Sequence, residues 1–315
     1  SMEHLIFALN ATVPIFCLVL LGMAFRMTGI LNRDFADRIN HFVFNISLPA
    51  VLWRDLSGAD FFKVWDGKFI GFCFMATTAS ILIAAAASMF LKKKEIRGEF
   101  IQASYRSSAA LLGIAFVQNI YGNSSMAPLM IIGCVPLYNI MAVVILEMMR
   151  PGRGRINRGL LIKTLAGILH NPILWGIICG MAWSASGIPR PAVLVKVIGD
   201  VAVLATPLGL LAMGALFDLG RAGKSIGPAL SASFIKLAGL EFIIIPAAIA
   251  AGFRREALTA IFIMLGSATT FGAFVMAKNM GYDGDLTSNT VMITTCGCAV
   301  TLTIGLYILK SLNLI

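Results

Sequence analysis

Apolar stretches of about 20 residues follow one another along almost the whole chain, and this constrains the fold more than any other feature. A helix crossing the hydrocarbon core of a bilayer needs roughly 20 mostly apolar residues. Within lipid every backbone amide and carbonyl must find a partner in the protein, so only helices and closed barrels cross. Barrel strands alternate apolar and polar residues in short segments. The runs here are long and continuous, which selects helices. Charged residues make up 13% of the 315 positions and mean hydropathy is +0.88, against roughly 25% charged in a soluble domain.

Ten spans are expected, at roughly 5–26, 35–53, 69–91, 99–121, 126–149, 171–188, 192–217, 226–252, 256–279 and 287–309. The one longer connection, 150–170, begins RPGRGRINRG. Within it Leu161, Leu165, Ile168 and Leu169 share one helical face, the pattern of a short helix lying on a membrane surface. Lys and Arg on one side of the expected spans number 15 against 8 on the other, with Arg106 and Lys236 inside spans. Lys92, Lys93, Lys94, Arg97, Arg150, Arg153, Arg155 and Arg158 dominate the richer side. The richer side reads as cytoplasmic, so both termini are expected outside the cytoplasm and the chain is expected in the plasma membrane.

The net charge of +10 sits in short loops, so it reads as a topology signal and not as a nucleic-acid surface. The six cysteines, Cys17, Cys73, Cys134, Cys179, Cys296 and Cys298, all lie in apolar segments without the clustered His/Cys spacing of a metal site. They read as small core residues, and no metal or other cofactor is expected. No HExxH or P-loop pattern occurs and no paired carboxylates stand at catalytic spacing, which argues against an intramembrane enzyme and an ATP-driven pump.

Internal likeness adds structure to the count. Span 2 reads INHFVFNISLPAVLW and span 7 reads VIGDVAVLATPLGLL; each has a mid-span proline, Pro49 or Pro207, with Ser47 or Thr206 just before it. Span 4 reads RSSAALLGIAFVQNIYG and span 9 reads LGSATTFGAFVMAKNMG. Gly113 matches Gly272, and Phe116-Val117 matches Phe274-Val275. Both pairs are five spans apart. A repeat with an odd number of spans inserts its second copy upside down, an arrangement found in secondary transporters. The domain reading is therefore 2–149 as a first five-helix repeat, 150–170 as a cytoplasmic linker and 171–315 as a second, inverted repeat.

Spans 4 and 9 are rich in residues that lipid does not favour: Ser107, Ser108, Gly113, Ser267, Thr269, Thr270 and Gly272. Small and hydroxyl residues permit close packing of two helices. They also suit broken helices whose freed backbone groups need partners near the midplane. Both readings stand at this stage.

With these motifs the chain resembles the auxin efflux carrier family, in its bacterial branch of malonate and organic-acid transporters. The resemblance rests on FNISLP, YRSSAALLGIAF with QNIYG, PLYN, HNPILWGIICG, ATPLGLLAMGALF and SATTFGAFVMAKNMGYD, which occur in this order over the whole chain. It implies ten spans in two inverted repeats, with broken helices 4 and 9 that cross. It further implies substrate beside the crossing, a mobile bundle working against a scaffold, and small organic anions as substrates. The chain departs from the family where Ser108 replaces a usual Asn and Ala115 a usual Pro, and it lacks the usual Pro near Ser267. Both crossings thus lack the customary helix-breaking proline.

Charge inside a membrane is costly, so its position is informative. Arg106, one turn into span 4, suits either an anion or lipid phosphates reached by snorkelling. Lys236 and Glu241 lie mid-span 8 at i and i+5, which points them apart on an ideal α-helix. Asp200 follows Lys196 by four residues, which suits a structural ion pair. Asp200 and Glu241 are also candidate proton carriers. Asn45 and Asn139 suit either interhelical hydrogen bonds or substrate contact. The functional expectation is a secondary transporter of a small organic anion, with substrate contacts from Asn45, Ser107, Ser108, Gly113, Asn139, Ser267, Thr269, Thr270 and Gly272. Proton or sodium coupling and a homodimer are left open. The other expectation kept is a membrane sensor or scaffold that binds a ligand without moving it.

Overall fold

A computed structural model describes residues 2–58, 66–121, 126–152 and 157–315. Arg153 and Arg155, named above as orientation signals, lie outside the described residues. Sixteen α-helices follow in order: α1 (Met2–Met27), α2 (Arg33–Phe42), α3 (Leu48–Ser57), α4 (Gly67–Ser88), α5 (Arg97–Tyr105), α6 (Ile114–Tyr121), α7 (Met126–Met148), α8 (Arg158–Leu169), α9 (Pro172–Ser186), α10 (Ala192–Val203), α11 (Ala205–Leu216), α12 (Leu219–Phe234), α13 (Leu240–Ala250), α14 (Arg255–Gly266), α15 (Phe271–Asn279) and α16 (Asp285–Ser311). Among the described residues the fold is all-helical, with no strand.

Among the described residues, five stretches are long and apolar enough to cross a bilayer: Gly67–Ser88, Leu129–Met148, Ala192–Leu216, Ala222–Ala250 and Asp285–Ser311. The pair α8 and α9, bent by 54°, makes a sixth if counted as one crossing. Several of the other helices are interrupted. α5 gives way to α6 through Arg106–Ser108, and α14 to α15 through Ser267–Thr270.

Among the described residues, π-helical turns at Val43–Ser47, Ala109–Gly113 and Ile235–Gly239 each take up one extra residue. The prolines noted in the sequence sit where ladders falter. Pro49 follows the turn Val43–Ser47, and Pro207 follows Leu204, where α10 ends and α11 begins. A proline donates no backbone hydrogen bond, so it is tolerated where that bond is already lost.

Packing divides the helices into two groups. In one, α1 lies against α11, α11 against α2, and α3 against α9 and α10. The α1–α11 crossing depends on glycine. A Cβ at Gly22 would lie 2.2 Å from the Leu211 carbonyl oxygen, and one at Gly214 would lie 2.0 Å from that of Val19. In the other group α4 packs on α5 and α7, α12 on α16, and α13 on α14. The groups meet where α15 lies against α11 and α2, and where α1 runs along α16.

The connection 150–170 contains a helix, α8. It turns Thr164 inward, while Leu161, Ile162, Leu165 and Leu169 are exposed.

Candidate functional site

The two interrupted helices cross at their breaks. Ser108 N–H donates to the Ala268 carbonyl at 2.9 Å, and Thr270 N–H donates to the Arg106 carbonyl at 3.2 Å. Ser107 and Thr269 thus form an isolated antiparallel bridge. Each break strips carbonyls and amides of their helical partners, and each freed group buried in lipid costs several kcal/mol unless satisfied. The bridge satisfies some of them.

Hydroxyls satisfy further backbone groups at the second break. Thr269 Oγ1 donates to the Ala103 carbonyl at 2.7 Å, and Thr294 Oγ1 accepts from Thr269 N–H at 3.0 Å. Ser267 Oγ donates back to the Ile263 carbonyl at 2.5 Å. Lys236, fully buried, gives its ammonium to the Leu265 carbonyl, to which Ser107 Oγ also points at 3.4 Å. A cation at a helix C-terminus meets the negative end of the macrodipole.

The bridge forms one wall of a cavity of about 230 Å³ that lies between the two helix groups. From one side come Leu48, Val51, Arg54 and Asp55 of α3, and Ala202 and Thr206 of the α10–α11 joint. From the other come Arg106, Ser107 and Ser108, with Tyr138 and Asn139 of α7 and Thr270–Gly272 at the start of α15.

Arg106 is 5% exposed, too deep to reach lipid phosphates. Its guanidinium donates to Gln102 Oε1 at 2.7 Å, to Asn139 Oδ1 at 2.5 Å and to the Met276 sulfur at 2.8 Å. Gln102 Nε2 in turn donates to the Ala273 carbonyl at 3.1 Å, and Asn139 Nδ2 to the Val135 carbonyl at 2.9 Å. All of these partners are neutral. The carboxylate in the same cavity, Asp55, is bonded to Arg54 at 3.0 Å. The cavity therefore carries one cation in excess. At α15, Thr270 is the N-cap, its Oγ1 accepting from Gly272 N–H at 3.3 Å, so the positive end of a helix dipole also starts at the cavity wall.

Of the residues singled out in the sequence, Arg106, Ser107, Ser108, Asn139, Thr270 and Gly272 line this cavity. Thr269 and Ser267 lie behind it, holding the break together. Gly113 ends the π turn and faces Met130. Asn45 bonds its own helix, Nδ2 donating to the His41 carbonyl at 2.8 Å. Asp200 pairs with Lys196 at 2.7 Å on an exposed surface. Glu241 lies in a separate apolar groove with Leu237, Phe242 and Phe262. Gln102, Tyr138 and Met276 were not singled out, and Thr206 was noted only as the hydroxyl residue before Pro207. The Gln102–Arg106 spacing of i, i+4 was the signal available for the first of them.

Residues 7–306 match the family model described as membrane transport protein. These features and that match define a multi-pass membrane transporter. The chain belongs to the auxin efflux carrier family. It is also similar to an uncharacterized transporter of Methanothermobacter thermautotrophicus, 21% identical over 298 residues that cover 91% of this chain and 93% of that one.

Proposed function

We propose that the protein is a secondary active transporter of a small organic anion, a mono- or dicarboxylate, bound at the helix crossing. One observation carries the reading: Arg106 is a buried cation held only by neutral acceptors and turned to a cavity between two helix groups. A buried charge without a counter-charge is costly, and an anion entering the cavity offsets that cost. Ser108 and Thr270 hydroxyls and the first turn of α15 add donors suited to a carboxylate. The cavity is smaller than the roughly 300–1,000 Å³ of sites for drug-sized ligands, which favours a small solute.

In this reading the chain has ten spans in two inverted repeats of five, with both termini outside the cytoplasm. The α1–α3 and α9–α11 group serves as scaffold, and the group carrying the crossing moves against it to expose the site alternately. Placement of the cavity at the boundary between the groups supports this, because relative motion there opens one face as it closes the other.

Uptake of labelled mono- and dicarboxylates into proteoliposomes tests the proposal. Saturable uptake that Ser108→Leu and Thr270→Leu abolish is expected. Unchanged uptake in both variants would remove the crossing as the site. Ligand binding without flux would turn the reading toward a sensor.

A further inference from the structure

Glu241 and Lys236 sit beneath the second break, outside the anion cavity, and the transport reading above leaves them without a role. Both belong to the continuous helix that α12 and α13 form through the turn Ile235–Gly239. The Leu240 N–H reaches back five residues to the Ile235 carbonyl, so the ladder is π-helical between the two charges. On an ideal α-helix their spacing separates them. Across this turn each charge acts on the other, yet Glu241 Oε1 is buried with no hydrogen-bond partner.

That oxygen is pressed against the end of α14. A Cβ at Gly266 would lie 1.8 Å from it, so the last residue of α14 is glycine where the carboxylate needs the space. Lys236 meets the neighbouring carbonyl of Leu265, which Ser107 shares from the cavity side. A path of contacts therefore runs from Glu241 to Gly266, from Leu265 to Ser107, and from Ser107 into the cavity.

We infer that Glu241 is the proton-binding residue of this carrier, and that protonation of its carboxyl and binding of an anion at Arg106 reinforce each other. The inference rests on the anion-carrier reading. A sodium ion fits this position poorly. Hard cations collect several oxygen ligands, whereas the Glu241 carboxylate packs against the end of α14 at Gly266, with the positive charge of Lys236 acting on it. The titratable groups facing the pair are Lys236 on the same helix, Cys298 on α16 and Cys134 on α7. None of the latter three supplies a second carboxylate.

The step is a simple protonation. One proton from water forms an O–H bond on the carboxylate of Glu241, removing one negative charge and leaving the positive charge of Lys236 at the crossing. A positive increment there favours an anion in the cavity, and linkage makes the effect reciprocal. Ionised Glu241 offsets Lys236 and favours the empty site.

The test uses the full-length protein and malonate as probe, at neutral to alkaline pH, where malonate stays ionised. Affinity is expected to rise by up to about tenfold for each pH unit as the pH falls. Glu241→Gln, which copies the protonated acid, is expected to bind at high pH as tightly as the parent does at low pH, with a flat profile. In pyranine-loaded liposomes the parent should acidify the lumen as malonate enters. An unaltered pH profile in Glu241→Gln, or malonate entry without proton movement, overturns the inference and leaves the anion carrier standing. If neither malonate nor any other member of a carboxylate panel binds, the carrier reading fails. Infrared difference spectra through a pH titration then decide the proton site alone: a protonated-carboxyl band lost in Glu241→Gln upholds it, and no such band sinks it.

Discussion

At the first helix break the chain supplies its own charge; at the second it supplies none. Arg106 stands in the first break, its backbone carbonyl in the bridge and its guanidinium at the cavity. Ser267, Ala268, Thr269 and Thr270 make the second break from neutral residues, and the cation at that end, Lys236, comes from another helix. Backbone geometry is shared, with one bond running each way across the bridge. Chemistry is divided. In the reading proposed above, the first break supplies the cation of the anion site, and the second adds the Thr270 hydroxyl and borders a neighbouring carboxyl.

That contrast can be broken by substitution. Lys236→Met should have the largest effect, because it leaves Glu241 without its counter-charge and the Leu265 carbonyl unpaired. Removing one partner of a buried pair costs about 3–5 kcal/mol, so thermal unfolding of the purified protein should show a large drop. Arg106→Gln should leave folding largely intact and weaken carboxylate binding. A charge-assisted hydrogen bond contributes about 1.5–3 kcal/mol, which is roughly a tenfold to hundredfold rise in the half-saturating concentration for uptake. Should Arg106→Gln instead unfold the protein with uptake affinity unchanged, the assignment of roles to the two breaks is reversed.

Thr269→Val removes a buried hydroxyl from the Ala103 carbonyl and should cost about 1–3 kcal/mol of stability, with little change in affinity for any substrate carried. Smallest of all, Lys196→Ala or Asp200→Ala should alter stability by only a few tenths of a kcal/mol, since exposed pairs contribute little. Transport should be unaffected. A transport defect in Asp200→Ala would mean that coupling lies on α10 and not beneath the second break.

Much of this was legible from residue types. Ser and Thr runs in an otherwise apolar chain marked both breaks, because nothing in lipid rewards such residues. Pro49 and Pro207 marked two further interruptions for the reason that proline cannot donate. Arg106 was visible as an intramembrane charge, but its alternatives were separated only by its burial and by Gln102 and Asn139.

Register was not legible. Matching Gly113 to Gly272 sets the two segments three residues away from the pairing of Ser107 with Thr269 that the backbone makes. The π turn at Ala109–Gly113 explains part of this offset, since it winds more residues per turn than the α-helix assumed in any alignment. The same effect at Ile235–Gly239 hid the relation of Lys236 to Glu241. Asn45 was ambiguous for a different reason. An amide in mid-membrane looks alike whether it meets a ligand or folds back on its own helix, as it does here.

The bridge between Ser107 and Thr269 is made by main-chain atoms alone. Any residue brings the same amide and carbonyl to it, proline excepted at the donor positions 108 and 270. Side chains at those positions are thus free to be exchanged while the framework persists. In the carrier proposed above, selectivity would rest on a few replaceable side chains mounted on a main-chain bridge that any residue except proline can make.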